Sequence, residues 1–170
     1  IIVNPLSSIG GNTPICDRVV NMNQALSVLV TQLHPKGWTS IFSAMLQSSV
    51  ELHDEQTTQK WLFSTGVALG ESLALSGDLS LEELQVEINA VLDRMQWGYA
   101  ELVQKGNEVY VRHMGCPFLI ASPPNQIELA GLLLGGLYYQ WFTTLGMDPS
   151  TEVSVVAEDD SGLLAEISFI

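Results

Sequence analysis

From Ser80 to Met114 the chain reads SLEELQVEINAVLDRMQWGYAELVQKGNEVYVRHM, and few folds accept that order of signals. Ser80 and Glu83 have the S-x-x-E spacing of a capping box, with Leu79 and Leu84 placed as a hydrophobic staple. Leu84, Ile88, Val91, Leu92 and Met95 then recur at helical spacing, so they share one face. Glu83, Glu87 and Arg94 fall on the opposite, wet face. Gly98, after Trp97, allows a sharp exit from the helix. Tyr99, Glu101 and Val103 alternate with Ala100, Leu102 and Gln104, as in a strand half-buried on one side. Lys105-Gly106-Asn107 is turn chemistry, and Val109 to Met114 returns as the second strand of a β-hairpin. The stretch therefore predicts an amphipathic helix delivering a hairpin.

The flanking sequence extends this pattern. Residues 1–21 hold Pro5, Pro14, Gly10 and Gly11 with no lasting periodicity, and IIVNPLSSIGG lacks the parts of a secretory signal. They are expected to be a flexible leader, a tag or a partner-derived segment. Residues 22–170 are expected to form a single domain. Asn23 to Leu33 predicts a short helix with Leu26, Leu29, Val30 and Leu33 on one face, ended at His34-Pro35-Lys36-Gly37. Trp38 to Leu52 predicts a second helix, with Ile41, Phe42, Met45, Leu46 and Val50 as its apolar stripe. Asp54 is placed to cap a third, running to about Leu75 and burying Trp61, Leu62, Thr65, Leu69, Leu73 and Leu75.

Beyond the hairpin, Phe118 to Ala121 is a short apolar piece between proline-containing breaks. Gln126 to Leu145 predicts a long helix with Ile127, Ala130, Leu134, Leu137, Tyr138, Trp141 and Leu145 on one side. Gly131, Gly135 and Gly136 interrupt it, each costing about 1 kcal/mol relative to alanine. Close approach of another element is a physical reason to keep them. Thr151 to Ala157 and Leu163 to Ile170 predict a C-terminal hairpin around an acidic turn. The fold class is thus α+β: N-terminal helices, helix–β-hairpin, long helix, C-terminal β-hairpin.

Composition narrows the function classes. Nineteen acidic residues against six basic ones give a net charge of −13, which opposes binding to nucleic acid or an anionic membrane surface. The run Leu129 to Gly146 is apolar, but Gln140, Thr143 and Thr144 argue against membrane insertion. Two cysteines, Cys16 and Cys116, cannot form a disulfide framework and fit a reducing compartment, with a single periplasmic disulfide as the alternative.

Catalytic signals are weak. His34, His53 and His113 stand in no metal-ligand spacing; His53-Asp54-Glu55 reads as a polar helix junction. No G-x-S-x-G, G-x-G-x-x-G or P-loop pattern occurs. Carboxylates such as Glu82, Glu87, Glu101 and Glu158 are read as solvated faces rather than a glycosidase pair. Trp38, Trp97, Tyr99, Tyr138, Tyr139 and Trp141 join an apolar ring to a polar tip, which suits sugar stacking, although core or interface packing is the ordinary use. The expectation is no catalytic residue, no metal, no cofactor and no enzyme activity.

Two runs carry a family resemblance. LQVEINAVLDRMQWGYAEL, followed by a short hairpin, resembles BcsD, the D component encoded in bacterial cellulose synthase operons, through Leu84, Glu87, Asn89, Leu92, Trp97 and Gly98. GLLLGGLYYQWFTTLG is similar to the family's long helix, through Gly136, Leu137, Tyr138 and Trp141. The order of elements agrees from about Trp38 to Ile170, and residues 1–21 fall outside. The resemblance implies a non-catalytic accessory scaffold in cellulose biosynthesis, a homo-oligomer built from dimers into an octameric ring. It implies help with ordered export and crystalline assembly of β-1,4-glucan chains. Implied partners are the cellulose synthase complex and a proline-rich protein of the same operon. The implied location is cytoplasmic, near the inner-membrane synthase, with the periplasm as the alternative. Under this reading Tyr99, Tyr110, His113, Tyr138 and Trp141 are candidate oligomer-interface residues, and Trp38 and Tyr139 are candidate glucan contacts. The competing reading is a small acidic dimeric secretion chaperone that holds an extended peptide in an apolar groove.

Overall fold

The computed structural model describes residues 36–77, 79–105, 108–158 and 160–170. The expectations for residues 1–21, the helix over 23–33, Cys16, His34 and the hairpin tip at Gly106-Asn107 lie outside the described residues. The elements are α1 (Lys36–Leu52), α2 (Glu55–Ser72), α3 (Leu81–Met95), β1 (Tyr99–Lys105), β2 (Glu108–Met114), the single turn α4 (Pro117–Ile120), a 3-10 turn (Pro124–Gln126), α5 (Ile127–Thr144), β3 (Val153–Ala157) and β4 (Leu164–Phe169). This is the expected α+β order. The two hairpins do not stand apart: β2 pairs with β4, giving one antiparallel sheet in the order β1-β2-β4-β3.

Local chemistry sets most boundaries. Asp54 accepts from the Thr57 backbone N–H at 2.8 Å and caps α2. Ser80 and Glu83 complete the predicted capping box of α3. The left-handed residue that ends α3 is Gln96 (φ 55°), not Gly98. Gly98 (φ +92°) sits so close to the Met114 carbonyl that no side chain fits there, which seats the start of β1 against the end of β2.

The core lies between the sheet and α5. Along β1, β2, β4 and β3, the inward side chains are Ala100 and Leu102, Val111 and His113, Ala165 and Ile167, and Val153 and Val155. Helix α5 is buried nearly all round rather than along one stripe, as befits a helix with neighbours on several sides. Its glycines mark the close approaches. Gly131 and Gly135 face the side chains of Val155 and Val153 in β3, and Gly136 lies against the Phe63 carbonyl of α2. On the facing helix Gly66 abuts the Leu133 carbonyl. The α2–α5 contact is therefore made backbone to backbone.

Three expectations are corrected by this packing. Helix α2 ends at Ser72, and its buried face is Thr58, Leu62, Gly66 and Gly70; Trp61 is exposed and Thr65 half-buried. Small residues, not large ones, let α2 approach α5. In α1 only Phe42 and Leu46 of the predicted stripe are buried, while Ile41, Met45 and Val50 are exposed. Glu87 is not simply wet: its carboxylate accepts from the Ser76 backbone N–H and hydroxyl, both at 2.9 Å, tying the α2–α3 connection to α3.

Candidate functional site

The residues that carry the family pattern form an interior framework. Asn89, on α3, lies opposite the edge of β1. Its amide oxygen accepts from the Ala100 backbone N–H at 2.7 Å, and its amide nitrogen donates to the Ala100 carbonyl, also at 2.7 Å. Gln85, one turn earlier, accepts from the Leu102 backbone N–H at 2.7 Å. Two side-chain amides thus stand where a neighbouring strand would be, and this edge is closed. Leu92 is fully buried beneath them.

Trp97 is buried against Phe118, edge to face at 5.1 Å between centroids, and Trp38 and Phe42 complete the cluster. The Trp97 carbonyl reaches His113 Nε2 at 2.7 Å, and His113 Nδ1 lies 2.7 Å from the Tyr138 hydroxyl. A carbonyl can only accept, so Nε2 carries the proton and donates. Nδ1 is then the acceptor, and the Tyr138 hydroxyl donates to it. Burial supports this neutral form: it pushes the His113 pKa down to about 4, only partly offset by the bond to Trp97. Burial likewise pushes the Tyr138 hydroxyl upward, so it stays protonated. Trp141 donates from Nε1 to the Leu73 carbonyl at 2.9 Å and packs edge to face on Tyr138. His113, Trp97 and Tyr138 therefore tie the hairpin to α5, and Trp141 ties α5 to the end of α2.

This geometry corrects part of the expected interface. Tyr138 is 0% exposed, and His113 and Trp141 are each 1% exposed. They are internal braces with no surface to offer another copy. Their polar tips, which suggested an interface, are satisfied within the chain. Tyr99 and Tyr110 do lie on the outside. They belong to the sheet face turned away from α5, where the register sets Tyr99, Met114 and Leu164 in one row. The next row is Glu101, Arg112, Glu166 and Val156, and the third is Val103, Tyr110, Ser168 and Ser154. Tyr99 is 48% and Val156 51% exposed. Arg112 lies 3.9 Å from Glu101, a half-exposed ion pair of little energetic weight. The Tyr110 hydroxyl donates to Glu108 on the same strand, which pushes its pKa upward. An aromatic and aliphatic surface with one central Arg–carboxylate row can take a copy of itself. Val103 and Met114 belong to the Tyr99–Met114 hairpin that the sequence already nominated for assembly; sequence reasoning missed Leu164 and Val156, whose place on this face depends on the β2–β4 pairing.

The candidate glucan contacts do not converge. Trp38 stacks on Phe118 at 6.0 Å, at the rim of the cluster between α1 and α4. Tyr139 packs on Phe63 of α2 and donates its hydroxyl to the Pro149 carbonyl at 2.8 Å. The two rings belong to separate clusters. Among the described residues no group of three His, Cys, Asp or Glu side chains comes together, and no helix is long and apolar enough to cross a membrane. Cys116 is buried, which pushes its thiol pKa well upward, as for a packing residue.

Comparison with known proteins agrees with this framework. The family model for the D subunit of cellulose synthase, BcsD, matches residues 24–167, most of the chain. Comparison with individual curated proteins gives no match. The match spans the Asn89–Ala100 clamp, the His113–Tyr138 brace and the glycine contacts of α5 alike. The chain belongs to the BcsD family of cellulose synthase subunits, and so to the proteins associated with cellulose biosynthesis.

Proposed function

We propose that this protein is a non-catalytic scaffold. Copies associate through the outer face of the sheet, and the dimers close into an octameric ring. The ring assists ordered export and crystalline packing of β-1,4-glucan chains beside the synthase, on the cytoplasmic side of the inner membrane. The observation that carries this reading is the contrast between the two faces of the sheet. One is sealed against α3 and α5. The other presents Tyr99, Val103, Tyr110, Met114, Leu164 and Val156, and among the helix hydrogen bonds described it meets the Gln85 amide of α3, at the Tyr99 hydroxyl, 3.5 Å away. Such a surface is what a symmetric assembly uses repeatedly. The high negative charge sets a condition: carboxylates must lie at the rim of each contact, so that apolar burial outweighs self-repulsion.

Deletion of the gene tests the function. Total glucan should be retained while cellulose crystallinity, read by fibre diffraction, falls. Normal crystallinity in the deletion strain would overturn the proposal. Light scattering on the purified chain tests the assembly: an octamer supports a ring, whereas a stable dimer favours a peptide-holding chaperone.

A further inference from the structure

The two edges of the sheet differ. At β1, the Asn89 and Gln85 amides bond the backbone of Ala100 and Leu102. At β3 the backbone is open over a short window. Glu152 exchanges both backbone bonds with Ile170, each at 3.0 Å, and Glu158 donates to the Leu164 carbonyl at 3.1 Å. Antiparallel pairing alternates, so Ser154 and Val156 also turn their backbone groups to β4, while Val153, Val155 and Ala157 turn theirs away. Both ends of this outward series are already used. The Ala157 N–H donates to Glu128 of α5 at 3.3 Å, and the Thr151 N–H donates to the Asp148 carbonyl at 3.0 Å. The outward N–H and C=O groups of Val153 and Val155 have no partner among the described residues.

We infer that this edge pairs with the β3 edge of a second copy, antiparallel, about a two-fold axis at Ser154. The window is self-complementary. Val153 of each copy faces Val155 of the other, which gives four backbone hydrogen bonds and leaves no open group of the window unmet. Sliding the register by two residues would set a valine against Ala157 or Thr151, whose N–H groups are taken.

The surroundings suit the same occupant. Beside the edge runs an open groove of about 470 Å³, where Phe63 of α2 and Leu132 of α5 stand next to Val153 and Val155. Pairing carries Val153 and Val155 of the second copy into the layer under the sheet, against that apolar wall. Charge agrees as well. No carboxylate lines the groove, and Lys60, one of six basic residues in a chain with nineteen acidic ones, does. An acidic second copy therefore meets a locally basic rim. This contact is distinct from the outer-face contact proposed above. Two different two-fold contacts, used in turn, let dimers close into a ring, and the outer face supplies only one of them.

Cysteine substitution in the full chain tests the pairing. In the inferred register Ser154 faces its own copy as a non-hydrogen-bonded pair, with a Cα separation of about 4.5 Å, within reach of a disulfide. With Cys16→Ser as background, mild oxidation of Ser154→Cys should cross-link more than half of the molecules at dimer mass. Ser168→Cys, one strand further in on the same sheet face, should give none. Absence of the Ser154 product overturns the inference. Equal cross-linking at Ser168 also overturns it, because packing of outer faces would then bring the copies together. Val153→Pro removes an N–H that faces away from β4, at the first residue of the strand, where proline is tolerated. It should keep the circular dichroism spectrum and lower Ser154→Cys cross-linking at least five-fold; unchanged cross-linking overturns the inference. Tyr99→Ser with Val156→Ser, aimed at the outer face, should leave the Ser154 cross-link in place, so failure of the face contact and failure of the edge contact are told apart.

Discussion

The molecule contains the same supersecondary plan twice, a helix followed by a hairpin, held together by different physics. In the first unit, α3 is amphipathic and grips β1 with polar side chains, Asn89 and Gln85. In the second, α5 is buried nearly all round and meets β3 chiefly through Gly131 and Gly135, with Glu128 accepting from the Ala157 backbone N–H only at the strand's last residue, at 3.3 Å. A helix with one wet face can spend side chains on hydrogen bonds. A helix in the middle of the fold must instead come close to everything, and loses side chains to do so.

Substitutions can break that comparison. The largest effect is expected at Gly136. A Cβ there meets the backbone of α2, which cannot swing away, so Gly136→Ala should cost about 3 kcal/mol in urea unfolding. Gly37, on exposed α1 with open space around it, is the control: Gly37→Ala should be neutral or stabilising by up to about 1 kcal/mol. A loss as large at Gly37 would show that glycine, not closeness, is the cause.

Acid comes next. His113 has its folded pKa near 4, below the usual value of 6.5. Between those values the unfolded chain binds the proton and the folded chain does not, so stability falls as pH drops from 6.5 towards 4. The contribution is fully present above 6.5, and its loss amounts to roughly 3 kcal/mol. His113→Gln should be less stable at neutral pH but lose this component of the slope, while the hydrogen-bonded carboxylates Asp54, Glu83 and Asp148, all held below their usual pKa, act at lower pH in both proteins. Chemical denaturation across that range reads the difference.

Asn89→Ala leaves both polar groups of Ala100 without their partner and should cost about 2 kcal/mol. If it costs as little as an exposed surface change, the polar clamp is not what holds the first unit. The smallest effect on folding, within about 0.5 kcal/mol, is expected for Tyr99→Ser with Val156→Ser on the outer sheet face. The same pair should lower the particle mass in light scattering; an unchanged mass would move the assembly surface elsewhere.

The first unit was legible in the sequence and much of the second was not, for the same physical reason. One wet face produces a period that can be read, so the cap, the stripe and the alternation of β1 all appear in the residues from Ser80 to Gln104. Burial on every side blurs the period: the extent of α5 and one buried side, Ile127 to Trp141, were legible, as was the need of its glycines for a close neighbour, but the burial of Leu133 and Phe142 on its other sides was not. The buried face of α2 was missed because Gly66, Gly70 and Thr58 carry no hydrophobic signal. Ile41 and Met45 kept their period, but the period says only that a face is apolar, not what covers it. The β2–β4 pairing joins segments about fifty residues apart and depends on packing that neither shows alone. Among the interface nominations, His113 and Tyr138 failed because each is the other's hydrogen-bond partner, a fact invisible when residues are read singly.

The closed edge of β1 bears on how this protein can grow. A strand with free backbone groups is a template, and copies adding to it in register extend without limit into fibres. Here the Asn89 and Gln85 amides already occupy that template, so polymerisation along the hydrogen-bonding direction is capped at β1. Unlimited growth needs both edges of the sheet, so with β1 occupied any pairing at the β3 edge ends at two copies, and a member of a family tied to an insoluble fibre is kept from becoming one itself.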